Sequence, residues 1–346
     1  MSSVPDTMKA AVLYAPLDLR VEEVPVPKIG KDEVLIKVGV VGVCPSDIKN
    51  YMRTDGKTWF PYGPESYGLS GHEFVGKIVA LGENVKNFSV GDIVVPEIII
   101  PCGRCKYCKK GLINLCSNKK YISHGYAEYA KVNANYLYKV PDGVSMEEAA
   151  FSEPLSVVLH TNSLLSPKPD DVILIIGAGP MGLLHTMITK LSGAKVIVSE
   201  VNEKRLKIAE KFGADILLNP KEVDISKKIK EITEGGADAA IVTIGNKDAI
   251  ESAISSVGSS GTVVLFASAY PDITININPN IIHWGELKIT GSYEHMPIDM
   301  DRALHLLRDR KINVMDLVTA TFKLDDIKSA FEYARSGNGL KVQVKP

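Results

Sequence analysis

Residues 172–200 read VILIIGAGPMGLLHTMITKLSGAKVIVSE, and their order decides the fold of the second half of the chain. Val172 to Gly177 opens the longest nearly apolar run, too short to span a bilayer and interrupted by glycines and a proline, which marks a core element. It leads directly into Gly177-Ala178-Gly179-Pro180-Met181-Gly182, a GxGxxG pattern that opens a helix from Met181 to Leu191. A second strand, Lys195 to Glu200, ends on an acid eighteen residues after Gly182. Strand, glycine turn, helix and terminal acid together form a dinucleotide fingerprint. The glycines permit a tight turn and close backbone approach to a pyrophosphate, the helix N-terminus receives the phosphates, and the carboxylate accepts from the adenine ribose. Negative charge at Glu200 repels a 2′-phosphate and favours NAD over NADP, while Arg205 can pair with a phosphate or stack on adenine.

Outward from this unit the strand–helix alternation continues: Glu203 to Phe212, Ile216 to Leu218, Ile225 to Ile232, Ala240 to Gly245, Ala249 to Val257, Thr262 to Ala267 and Leu287 to Gly291. Six strands interleaved with helices give an α/β class with a parallel, doubly wound sheet. Two amphipathic helices, Met300 to Arg310 and Asp325 to Ser336, and a closing strand Lys341 to Val344 follow. Toward the N-terminus the pattern changes to short strands between turns: Ala10 to Tyr14, Val34 to Val40, Phe74 to Leu81, Ile93 to Pro96 and Tyr126 to Val132. Such a run without long helical patterns reads as an antiparallel, barrel-like domain. A capping box, Ser145 to Glu148, opens an apolar helix to about Leu165. The expected domains are 1–157 with 296–346, and 158–295 inserted between them.

The 346 residues are 45% hydrophobic and 23% charged, enough for two packed cores and too apolar for a disordered chain. With 40 Lys+Arg against 41 Asp+Glu there is no basic excess of the kind that neutralises nucleic-acid phosphates. Met1 to Lys9 lacks the apolar centre of an export signal, so a cytoplasmic protein without membrane or nucleic-acid partners is expected.

Of the 5 cysteines, Cys44 stands alone while Cys102, Cys105, Cys108 and Cys116 crowd together as C-x2-C-x2-C-x7-C. That spacing lets a tight knuckle point four thiolates at one centre, as a closed structural zinc site requires. The surrounding lobe, about 100–118, has few apolar side chains and would hold its shape through the metal.

Cys44-Pro45-Ser46-Asp47, Gly71-His72-Glu73 and Glu153-Pro154-Leu155 supply a thiolate, an imidazole and carboxylates, all zinc-ligand types. With the cysteine lobe, the glycine motif and the closing strand in this order, the sequence resembles the zinc-dependent medium-chain alcohol dehydrogenases. Within them it is similar to the sorbitol (polyol), butanediol and threonine dehydrogenase branch. The resemblance implies a GroES-like β-barrel catalytic domain joined to a Rossmann domain. It makes Cys44 and His72 catalytic zinc ligands, with Glu73 or Glu153 completing the shell. Asp47 becomes the acid that orients His72, and Ser46 the hydroxyl that passes the substrate proton outward. Met181, Glu200 and Arg205 fall on the phosphate and adenosine side of NAD, Phe266, Ala267, Ser268, Ser292 and Tyr293 on the nicotinamide side.

Lys49 and Val242 stand where relatives commonly have a histidine and an acid. The stretch Tyr51 to Ser70, with Trp59, Phe60, Tyr62 and Tyr67, either shapes the substrate cleft or packs its aromatics as a surface loop. The remaining histidines, at 124, 160, 185, 283, 295 and 305, are read as structural. The implied enzyme binds two zinc ions per chain and oxidises a secondary alcohol of a polyol or similar polyhydroxylated compound to a ketone with NAD. An aldose, threonine or simple alcohol dehydrogenase is the alternative on this scaffold, and a non-catalytic dinucleotide-binding protein the alternative outside enzymes. A homo-oligomer, a tetramer, follows from the resemblance alone.

Overall fold

A computed structural model describes residues 4–53, 61–68 and 70–346, which form two compact units: Met1–Ser156 with Met296–Pro346, and Val157–His295. The division falls inside the helix Ser152–Leu165.

The contiguous unit is built on one six-stranded sheet. Across it the strands run Ile216–Leu218, Lys195–Ser199, Val172–Ile176, Ala237–Val242, Val257–Leu265 and Lys288–Gly291, every neighbouring pair parallel. Val172–Ile176 is first in sequence yet lies inside the sheet, so the order reverses beside it, and the carboxyl ends of the strands there form the switch point at which such sheets bind ligands. Its position explains its composition: Ile173, Leu174, Ile175 and Ile176 are all buried, as a strand covered on both faces requires. Leu174 and Ile176 pack with Ile197, Val242 and Val263 in the core beneath the helices. The helices close with ordinary caps, Asn202, Asp224 and Asn246 each accepting from backbone N–H groups of the first turn.

The discontinuous unit carries a mixed seven-stranded sheet. Its central strand, Glu33–Gly42, pairs antiparallel with Glu73–Leu81, Tyr129–Asn133 and the closing strand Lys341–Lys345. Val34, Ile36 and Val38 enter one core, and the intervening Leu35 enters a second with Met8, Ala10 and Val12, so both faces of this strand are covered.

One local expectation is corrected, and two strands are added. The capping box is present, but its helix is only Met146–Ala149, and a separate helix runs over Ser152–Leu165. A strand Asp18–Pro25 forms a hairpin with Thr7–Ala15, and Val318–Lys323 pairs parallel with the closing strand; the sequence reading contained neither. No helix of the described residues is long and apolar enough to cross a membrane.

Candidate metal centres and dinucleotide cleft

The four clustered cysteines converge. Cys105 and Cys108 sulfurs lie 3.6 Å apart, Cys105 and Cys116 3.9 Å, Cys102 and Cys108 4.0 Å. A tetrahedron with zinc–sulfur bonds of about 2.3 Å has edges of about 3.8 Å; these three edges match it and all four sulfurs lie within 4.8 Å of one another, so the donor set fits zinc. Cys105 caps the short helix Lys106–Lys109, and N–H groups of Cys108 and Ser117 pull its thiol down to about 6. The backbone thus prepares a thiolate there.

The second cluster joins Cys44, His72 and Glu73, whose ligand atoms all lie within 4.8 Å of one another. Two features of the discontinuous unit bring them together. Glu73 opens the strand Glu73–Leu81, so His72 sits at its lip, while Cys44 is the N-cap of the helix Pro45–Met52, just beyond the central strand. Burial raises the Cys44 thiol, and the neighbouring His72 offsets only part of that rise. Burial also works against the His72 charge, but Asp47 and Cys44 outweigh it and hold the imidazole well above its ordinary value. A divalent metal resolves both tensions, replacing the imidazole proton and stabilising the thiolate. A thiolate, an imidazole and a carboxylate around one point fit a catalytic zinc, which keeps a further position open.

Glu153, in the first turn of Ser152–Leu165, is buried but stands outside this group; of the two candidate acids the structure gathers Glu73. His72 Nδ1 lies 2.7 Å from the Ser70 carbonyl and 3.4 Å from Asp47 Oδ1, so both stand beside the ring and the carbonyl is the closer. Asp47 also ties the site together: it accepts from the Cys44 N–H at 2.9 Å, Ser70 Oγ at 2.5 Å and the Tyr126 hydroxyl at 2.6 Å. Burial raises its carboxyl, yet His72, Ser70 and Tyr126 bring it below its usual value. Ser46 is half-buried in the first turn of Pro45–Met52.

Sequence reasoning missed two residues, Tyr126 and Lys341. Tyr126 is fully buried under Asp47, and Lys341, buried on the closing strand, forms an ion pair with Glu73. Burial lowers the Lys341 pKa, but Glu73, Cys44 and Glu153 more than reverse this and hold the ammonium charged. Of the aromatic stretch, Trp59 and Phe60 lie outside the described residues; Tyr67 packs its ring 5.2 Å from that of His124.

In the contiguous unit a cleft of about 610 Å³ is lined by Gly177, Ser199, Glu200, Arg205, Asn246 and Asp248 among others. Gly177 has φ +102, and a Cβ on Gly182 would run into the Gly177 carbonyl, so the turn requires both glycines. A Cβ on Gly179 would meet nothing within 4 Å, which leaves the helix N-terminus at Pro180 and Met181 open to a phosphate. Glu200 does more than expected: besides lining the cleft it accepts from the Ala178 N–H at 2.8 Å and the Asn202 N–H at 2.9 Å, fastening the glycine turn to the second strand. Phe266 and Ala267 both bond back to the Val242 carbonyl at 3.1 Å, and Phe266 lies edge-on to His185 at 4.5 Å. Ser292 is buried and accepts from Thr161, whereas Tyr293 is half-exposed; Ser268 lies just beyond the strand Val257–Leu265.

The zinc-binding dehydrogenase family matches residues 180–309, and the alcohol dehydrogenase GroES-like domain matches residues 30–142. A sorbitol dehydrogenase of Bacillus subtilis (strain 168) is 35% identical over 99% of this chain and 99% of its own length. The chain belongs to the zinc-binding dehydrogenases. An L-threonine 3-dehydrogenase of Pyrococcus horikoshii is 36% identical to this dehydrogenase over 92% of the chain and 93% of its own length. A zinc-binding dehydrogenase structure from Sinorhizobium meliloti 1021, bound to NADP, superposes with TM-score 0.91 at 28% identity, covering 99% of this chain and all of the other. The protein is thus an oxidoreductase with the fold of its family and two clusters of residues that could hold a metal.

Proposed function

We propose that this dehydrogenase oxidises a secondary alcohol of a polyol, or a similarly polyhydroxylated compound, to a ketone, with NAD as acceptor. The observation that carries the reading is the convergence of Cys44, His72 and Glu73 in a chain that also holds a dinucleotide turn. Zinc bound by these three would acidify the substrate hydroxyl, and NAD would accept the hydride. The chain's own residues do the rest. The Asp47 hydrogen bonds fix the backbone at Cys44 and the Ser70 loop that carries the His72 partner. Ser46, two residues beyond Cys44, takes the substrate proton outward. Glu73 and Glu153 make the surroundings rich in acceptors, and a site built to hydrogen-bond neighbouring hydroxyls rejects analogues that lack them. Relatives named for sorbitol and for L-threonine fit a polar, hydroxyl-bearing substrate. Cys102, Cys105, Cys108 and Cys116 hold the second, structural zinc.

Preference for NAD rests on Glu200, whose carboxylate sits in the cleft that would receive the adenosine; Arg205 lines the same cleft. The relative bound to NADP makes this a discriminating point. The deciding experiment compares kcat/KM for vicinal diols and polyols with matched monoalcohols, each with NAD and NADP. Polyol with NAD should rank first; preference for a simple primary alcohol would refute the substrate reading, and preference for NADP the cofactor reading. The resemblance also supports a homotetramer, which light scattering of the purified protein tests.

A further inference from the structure

We propose that Lys341 competes with the metal for Glu73, and so sets how firmly the Cys44, His72 and Glu73 cluster holds its zinc. This rests on the reading of that cluster as the catalytic zinc site. Lys341 and Glu73 are 3% and 1% exposed, so neither charge is satisfied by water, and each has the other as its ion-pair partner. The sheet is built to let them meet. Gly42 on the central strand pairs with Glu73 on one side and with Gln343 of the closing strand on the other. A Cβ on Gly42 would lie 3.0 Å from Lys341 Cε and 3.2 Å from Glu73 Cβ, and would fall on the Glu73 carboxylate. The side chain that Gly42 lacks leaves the space in which the ammonium reaches the acid.

Charge gives the pair its consequence. Against a divalent metal, the Cys44 thiolate and the carboxylates of Glu73, Glu153 and Asp47 leave two negative charges in excess. Lys341, which lies within electrostatic reach of the first three, offsets one of them. A cation on Glu73 lowers the electron density that this carboxylate can offer to a metal and holds it toward the closing strand. Glu73 is therefore a weakened ligand, ready to yield its place, and Lys341 is a positioning residue that acts through it.

The test is zinc release from the whole protein into excess chelator, read with a zinc indicator, with Cys44→Ser identifying the phase that belongs to this cluster. Lys341→Met keeps the apolar stem and removes the cation, so Glu73 has only the metal left to satisfy it. Release of this zinc should slow by roughly 10- to 100-fold, the scale on which partners of metal ligands act, while kcat falls with the zinc retained. In a Glu73→Gln background the same lysine substitution should leave release unchanged; this double variant removes both buried charges together and so guards against simple misfolding. Faster or unaltered release in Lys341→Met, or an equal effect of the lysine substitution with and without Glu73, would overturn the proposal. If Cys44→Ser removed no phase, the zinc reading itself would fall and take the proposal with it.

Discussion

Replacing Asp47 probes the linkage that holds the metal cluster in shape. The carboxylate is 1% exposed and receives three donors, from Cys44, Ser70 and Tyr126. In Asp47→Asn one oxygen still accepts from Cys44 and Tyr126, and the Ser70 hydroxyl can turn to accept from the new amide. What is lost is the charge: three charge-assisted bonds become neutral, at about 1 kcal/mol each, or about 2 to 3 kcal/mol in all. Asp47→Ala instead orphans all three buried donors at about 1 to 3 kcal/mol apiece, so it should cost about 3 to 9 kcal/mol. For a unit of this size each kcal/mol lowers Tm by roughly 2 to 4 °C. Calorimetry of the purified protein should place the Asn variant roughly 5 to 10 °C below the parent and the Ala variant lower still. The pH dependence has a definite sign. The folded pKa of Asp47 lies below its unfolded value, so near pH ~4 the unfolded state binds more protons and stability falls as pH drops through the folded value. The Asn variant should lose that part of the acid slope. An Asn variant that matches the parent within a degree, or an Ala variant no worse than Asn, would refute the network as described.

Metal analysis of the purified protein should return two zinc ions per chain; Cys105→Ser should lose one and destabilise the lobe, and Cys44→Ser should lose the other with little change in Tm. Gly179→Ala should fold normally, since its Cβ meets nothing within 4 Å, but bind NADH more weakly; Gly182→Ala, whose Cβ would strike the Gly177 carbonyl, should lower Tm as well. Equal unfolding of the two alanine variants would count against this account of the turn. His185 is buried with Nε2 unpartnered among the described residues, and burial drives it down to about 3. Below its unfolded pKa of about 6.5 the unfolded chain alone takes the proton, so stability should fall by up to about 1.4 kcal/mol per pH unit, and His185→Phe should flatten that slope in denaturant titrations.

The contiguous unit was largely legible because its signals are local. A buried parallel strand must be apolar throughout, a pyrophosphate turn needs glycine at fixed spacing, and Val172 to Gly182 states both within eleven residues. The cysteine lobe was legible for the same reason. What escaped depends on contacts far apart in sequence. Nothing near Lys341 announces that Glu73 faces it, and a lysine on a closing strand ordinarily reads as solvent-facing. Tyr126 likewise sits in a strand-like stretch where an aromatic reads as core; only its hydroxyl, 79 residues from Asp47, reveals the second task. Glu200 was assigned from its place at a strand end, but its bond to Ala178 arises from turn geometry, which no spacing rule encodes. The strand Asp18–Pro25 gives little signal because four of its eight residues are charged and only Leu19 and Val24 are buried.

The discontinuity of the first unit imposes an order on synthesis. The strand that carries Cys44's neighbours, Glu33–Gly42, cannot complete its pairing until Lys341–Lys345 emerges, some three hundred residues later, by pairing Gln343 with Gly42 and Val344 with Val41. The inserted unit has no such wait, since its whole sheet lies between residues 172 and 291. A growing chain therefore finishes its nucleotide-handling half first and holds the metal-bearing half ajar. The same late strand, Lys341–Lys345, also seats a cation against Glu73. Removing it would leave the inserted unit complete and the metal-bearing unit without the strand that closes its sheet.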